Sequence, residues 1–197
     1  MSARLTMDTA DWYTPAVFVE SARLVMGAID LDPASHPEAN ERIKAAAFYT
    51  AEQDGIGHEW RGRVFLNPPG GKHPSGGSLV NAFWRHLLRE YLASRVSQAV
   101  WIGYSLEQLQ TLQNAGADYT PLSFPLCVTR NRIAFIENAA KREARIAKKQ
   151  AAGKSTKDSG PTHSNYICYL GPNVLTFAQE FGKHGAIVLP VGSVVAA

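Results

Sequence analysis

The stretch Arg63-Val64-Phe65-Leu66-Asn67-Pro68-Pro69-Gly70 decides how the chain folds. Its first four residues are largely apolar and partly β-branched, which is the composition of a buried strand. Two prolines then end it. Pro69 holds its own φ and drives Pro68 toward extended backbone, and Pro68 does the same to Asn67. Asn67 is therefore expected at the carboxyl end of a strand with its amide aimed outwards, where open α/β sheets bind ligands. Proline has no N–H, so the turn offers acceptors: the Asn67 side-chain oxygen and the Pro68 carbonyl. Each could take one N–H of an aromatic exocyclic amine. Together they would favour its tetrahedral nitrogen in a transition state and raise its nucleophilicity. A strand followed by a plain proline turn accounts for the same residues, so the surroundings must decide.

Upstream, Thr14 and Pro15 are placed to cap and open a helix whose stripe of Val17, Phe18, Ala22 and Val25-Met26 ends at Gly27. Ala28 to Leu31 reads as a short strand feeding the acidic turn Asp32-Pro33-Ala34-Ser35. Ser35 and Glu38 have capping-box spacing for a helix to about Ala46. A second strand, Ala47 to Thr50, leads to the turn Gln53-Asp54-Gly55. Strand, acidic turn and helix together open a Rossmann-like unit.

Downstream, the loop Gly70 to Gly77 lacks the GxxxxGK[ST] pattern, which argues against a nucleoside triphosphatase. Ser78 caps an amphipathic helix through Leu92. Ala99 to Gly103 is the next strand, and Ser105 caps the helix after it. Leu126-Cys127-Val128 and Ile133 to Ile136 flank Thr129-Arg130-Asn131-Arg132, a turn carrying two arginines, and a basic insertion at about 138–164 is expected to link the two strands of an antiparallel edge hairpin. Asn138 to about Ala152 has the composition of a helix, and Gly153 to His163 that of a disordered segment. Tyr166 to Leu170, a helix at 174–181 and Ala186 to Leu189 close the chain. The expected fold class is α/β: a mostly parallel sheet with an antiparallel edge hairpin, in one domain over 11–190 with loose termini.

A chain of 197 residues with 45% hydrophobic content has room for one packed domain. No apolar run approaches the roughly 20 residues needed to span a bilayer, and no signal-peptide h-region is present, so a protein kept inside the cell is expected. Cys127 and Cys168 lie in apolar stretches and read as reduced core residues, and no Cys or His pair has metal-ligand spacing. The net charge of +3 is unevenly distributed: residues 138–162 carry +5 and the remainder −2. Lys141, Arg142, Arg145, Lys148 and Lys149 supply most of that charge, which fits either a solvated helix face or contact with a polyanion. Arg130 and Arg132 either cap their turn or touch phosphate or base. His36, His58, His73 and His86 have no evident partners and are expected at the surface.

The order of these motifs resembles the phage-type DNA N6-adenine methyltransferases. The resemblance runs through Trp12-Tyr13-Thr14-Pro15, Asp30-Leu31-Asp32-Pro33-Ala34-Ser35, Asp54-Gly55, Leu66-Asn67-Pro68-Pro69, the segment Pro125 to Phe135, and Leu170-Gly171-Pro172 with Phe177 and Phe181. It implies a Rossmann-like class I methyltransferase fold, S-adenosylmethionine (SAM) as donor and an adenine flipped out of DNA as acceptor, in a bacterial or phage-infected cytoplasm. It places Tyr13, Thr14 and Pro15 near the methionine part of SAM and Asp32, Pro33 and Ala34 under the cofactor, with Asp30 beside them. Asp54 would meet the cofactor adenine, and Asn67, Pro68 and Pro69 the target amine. The chain departs from the pattern at Gly70, where an aromatic residue is usual; Phe83, Trp84 and Tyr104 are the candidate replacements. Cytosine N4, a protein glutamine, or DNA binding without catalysis are the alternative functions.

Overall fold

The computed structural model describes residues 12–137, 139–156 and 163–191, with residues 139–141 described by backbone alone. The expected N-terminal arm, Lys157 and most of the expected C-terminal tail lie outside the described residues, as does the side chain of Lys141.

The architecture is α/β, with helices on both faces of one seven-stranded mixed sheet. Its strands are β2 (Leu31–Asp32), β3 (Ala47–Phe48), β4 (Gly62–Leu66), β5 (Val96–Tyr104), β6 (Leu126–Thr129), β8 (Asn165–Leu170) and β9 (Gly185–Val188), in the order β3-β2-β4-β5-β8-β6-β9. The first four are parallel. β8, β6 and β9 then join antiparallel. A separate antiparallel ribbon pairs β1 (Trp12–Tyr13) with β7 (Ile136–Glu137).

Side-chain alternation along the strands builds two cores. Phe65, Val100, Ile102, Cys127, Ile167 and Tyr169 face one side with helices α1 (Ala16–Met26), α2 (Pro37–Ile43) and α6 (Val174–Phe181). Val64, Leu66, Trp101, Cys168 and Leu170 face the other, against α3 (Leu79–Leu92) and α4 (Leu106–Asn114). Both cysteines are free and buried. Val64, Phe65 and Leu66 are fully buried, each worth about 1.5–3 kcal/mol, so the strand beneath Asn67 is firmly held.

The run expected as a strand at residues 133–136 does not pair with β6 across the turn at 129–132. The antiparallel edge exists, but β8, β6 and β9 build it. β6 already has β8 on one side and β9 on the other, which leaves no edge for residues 133–136. Ile133 instead buries its side chain and donates its N–H to Asn165 Oδ1 at 2.9 Å, while β7 pairs with β1. The basic helix α5 (Ala139–Ala151) lies in the connection from β6 to β8.

Two expected caps shift by one residue. Pro37 occupies the first turn of α2 and holds His36 extended (φ −158°, ψ 167°), so His36 takes the cap position and Ser35 falls outside the helix. Pro15, not Thr14, precedes α1 at the cap position, and Gly27 closes that helix at φ 83°. Ser78 does cap α3, accepting from the Asn81 N–H.

Among the described residues, no helix is long and apolar enough to cross a membrane.

Candidate functional site

From β2 the chain moves outward to β3, and from β4 it moves the opposite way to β5. The carboxyl ends of the adjacent strands β2 and β4 are thus a topological switch point, where loops diverge and leave a crevice. An open cleft lies there. The turn after β2 contributes Asp32 and Ala34, and the turn after β4 contributes Asn67, Pro68 and Pro69. Tyr13 and Thr14 reach it from β1 and the residue that follows. Seven residues singled out from three separate stretches of sequence therefore line one cavity.

The cleft is lined by polar groups that the protein leaves unsatisfied. Asp32 is buried, and desolvation pushes its carboxyl up to about 7. The Ala34 N–H, donating to Asp32 Oδ1 at 3.1 Å, works against that shift, as does the nearby Ser35 hydroxyl. Ser35 Oγ itself has no partner in strict hydrogen-bond geometry, and neither has the buried His36 Nε2. Both residues line the cleft. Buried polar atoms without partners cost about 1–3 kcal/mol each, so Ser35 Oγ and His36 Nε2, beside the buried carboxyl of Asp32, mark a surface shaped to meet a polar ligand.

A second, shallow cleft adjoins the first at Ala34 and is lined by Pro33, Asp54, Gly55 and Phe83. Gly55 brings the two turns together. A Cβ there would stand 2.0 Å from the Pro33 carbonyl oxygen, so only glycine lets the chain pass this closely. Trp60 Nε1 fixes the same turn by donating to the Gly55 carbonyl at 2.7 Å. Asp54 sits exposed beside it in left-handed backbone, φ 53°.

Other expected site residues are placed elsewhere. Asp30 faces the opposite end of β4. It accepts from Arg63 Nε and the Arg63 backbone N–H, both at 2.8 Å, and from Nη2 at 2.7 Å. That guanidinium holds its carboxyl below the usual range. Asp30 is an ion-pair partner of the strand, away from both clefts. Pro15 lies beside Thr14 and outside the cleft lining. Arg130 and Arg132 are exposed on the loop after β6. β6 runs in the direction of β4, so this loop and α5 emerge on the same sheet edge as Asn67, about 14 Å along it at three strand spacings. Arg142 and Lys148 are exposed on α5 and Lys149 is half-buried. Arg145 is turned inward and holds both carboxylate oxygens of Glu137, donating from Nε at 2.9 and 3.2 Å and from Nη2 at 2.7 Å.

Sequence reasoning missed three groups at the cleft. Ser35 reads as a helix cap until Pro37 is given its full weight, and the His-Pro pair was the available signal. His36 was expected at the surface, yet its ring packs 5.3 Å from Tyr13. Trp12 also lines the cleft. His86, expected at the surface too, is buried against Trp60 in a cluster with Glu90 and Arg95. Phe83 and Trp84 are core residues. Compared with protein families, with characterised proteins and with solved structures, the chain finds no match.

Proposed function

We propose that the chain is a SAM-dependent methyltransferase of the Rossmann-like class I type, acting on the N6 amine of adenine in DNA. The observation that carries this reading is the convergence of Asn67-Pro68-Pro69 and the buried Asp32 on one cleft at the switch point. The donor set fits the cofactor. A buried carboxylate with an upshifted proton affinity suits the ammonium of a methionine moiety, and Ser35 Oγ and His36 Nε2 offer further polar contacts. The adjoining cleft, with apolar Phe83 and the Asp54 carboxylate, suits a nucleoside. When bound, SAM supplies the electrophilic methyl group.

The remaining chemistry belongs to the chain. Asn67 Oδ1 and the Pro68 carbonyl hold the two amine hydrogens and stabilise the nitrogen as its lone pair leaves conjugation. Pro68 and Pro69 keep those acceptors rigid, so no reorganisation is needed in the transition state. The walls of the cleft orient the base for in-line transfer, with no covalent enzyme intermediate. Flipping the base costs a few kcal/mol of stacking, which contacts from Arg130, Arg132 and the exposed cations of α5 to phosphate would offset.

Incubation with methyl-tritiated SAM and DNA, RNA or protein in parallel tests the reading. Label in DNA, recovered as N6-methyladenine, is the expected result. Label only in protein or at cytosine, or DNA binding without transfer, would replace it with one of the alternatives.

A further inference from the structure

Four tryptophans are present, and three of them, Trp60, Trp84 and Trp101, are completely buried. Trp12 is 41% exposed and lines the cleft that holds Asn67 and Pro68. Among the described residues, Trp12 is the one aromatic side chain of that cleft with an open face. The other aromatic residue of that cleft, Tyr13, is 4% exposed, with the Arg42 guanidinium over its ring at 5.6 Å and His36 against it. It has no face to offer. The residue after the two prolines, Gly70, has no side chain with which to cover a planar ligand.

The position of Trp12 has a mechanical basis. β1 belongs to the two-stranded ribbon and not to the main sheet, and Trp12 is paired with Glu137 in it. Glu137 is in turn gripped by Arg145 of α5. The strand that carries Trp12 is therefore tied through Glu137 to the basic helix, and its indole lines the same cleft as the acceptor turn. A strand whose phosphates lie on α5 would bring its bases past Trp12.

We infer that Trp12 is the stacking surface for the substrate base. This rests on the proposed nucleobase function of the cleft and deepens it. Every base presents a π-face, so the platform supplies affinity with little sequence discrimination, and selection of the amine is left to Asn67 and Pro68.

Because Trp12 is the sole tryptophan that solvent can reach, its fluorescence reports on it alone when acrylamide is the quencher. Oligodeoxyadenylate should quench the emission of the full-length protein and shield it from acrylamide. An abasic oligomer of the same length, with the same charge and no bases, should do neither. Trp12→Phe should remove the signal and keep oligonucleotide affinity within a few-fold. Trp12→Ala should weaken that affinity roughly 5- to 100-fold, the range expected for losing one stacked base. An equal effect from the abasic oligomer, full quenching by SAM alone, or unchanged affinity in Trp12→Ala would each overturn the inference. Base-dependent quenching in a protein that transfers no methyl group supports the platform and removes the methyltransferase reading. Methylation of DNA with Trp12 undisturbed does the reverse.

Discussion

Arg145 and Glu137 form a two-pronged ion pair that fastens the basic helix α5 to the β1–β7 ribbon. Arg145 therefore separates from the other cations of its segment. Arg145→Ala should lower stability by about 1.5–3 kcal/mol, the usual range for hydrogen bonds to a charged group. It should also raise acrylamide access to Trp12. Equilibrium denaturation and fluorescence quenching read the two effects, and a variant unchanged in both would show that the pair is dispensable.

The exposed cations should behave differently. Replacing Arg142, Lys148 and Lys149 by Ala should leave stability nearly unchanged, since they project from the helix surface or stand half-buried on it. The slope of log affinity against log salt should fall by about 0.9 for each DNA phosphate that these cations no longer neutralise. DNA titrations at several salt concentrations measure it, and an unaltered slope would remove α5 from the interface.

Asp32 makes a pH-dependent prediction. Its carboxyl is raised from 3.8 to about 7 by burial, so between those values the folded protein holds a proton that the unfolded chain has released. Stability of the ligand-free protein should therefore fall as pH rises through that window and level off above it. At about 1.4 kcal/mol per pH unit, the total is on the order of 4 kcal/mol. Asp32→Asn should abolish this dependence. If the carboxylate receives the SAM ammonium, SAM affinity should weaken as pH falls below about 7, where the carboxylate takes up its proton. Calorimetric titration across the range checks both signs.

Asn67→Ala removes one acceptor from the turn and leaves the Pro68-Pro69 backbone intact. Single-turnover methyl transfer should drop by about 10²–10³, or roughly 3–4 kcal/mol of barrier, with SAM binding preserved. Asn67→Asp keeps an acceptor of the same size and should retain measurable activity. Transfer by Asn67→Ala at the parent rate would make the turn structural only.

Asp30 should be silent in binding. Its hydrogen bonds from Arg63 lower its proton affinity, so it contributes stability above its unfolded value of 3.8 and loses it as pH falls further. Asp30→Ala should lower the melting temperature at neutral pH without altering SAM affinity, as thermal shifts with and without SAM would show.

The sequence by itself determined the features that depend on near neighbours. The apolar run at residues 64–66, the two prolines after Asn67 and the order of strands and helices are local signals, and they yield the parallel half of the sheet, the acidic turn and the proline turn. They also bring the turns after β2 and β4, with Asp32, Ala34, Asn67, Pro68 and Pro69, to one cleft, because a parallel sheet carries the ends of its strands to one edge, while Tyr13 and Thr14 reach it from the separate β1–β7 ribbon. Only the tertiary structure decided the pairings among distant segments. Ile133 to Ile136 look like a strand in isolation, but β9 occupies the edge they would have used. Arg145 looks like its neighbours on α5, and only the fold sets Glu137 before it. Asp30 and Asp32 sit two residues apart with the same chemistry. Asp30 precedes β2 and meets Arg63 near the start of β4, whereas Asp32 ends β2 and is buried at the cleft, and that desolvation, supplied by residues far away in the chain, gives Asp32 its altered proton affinity.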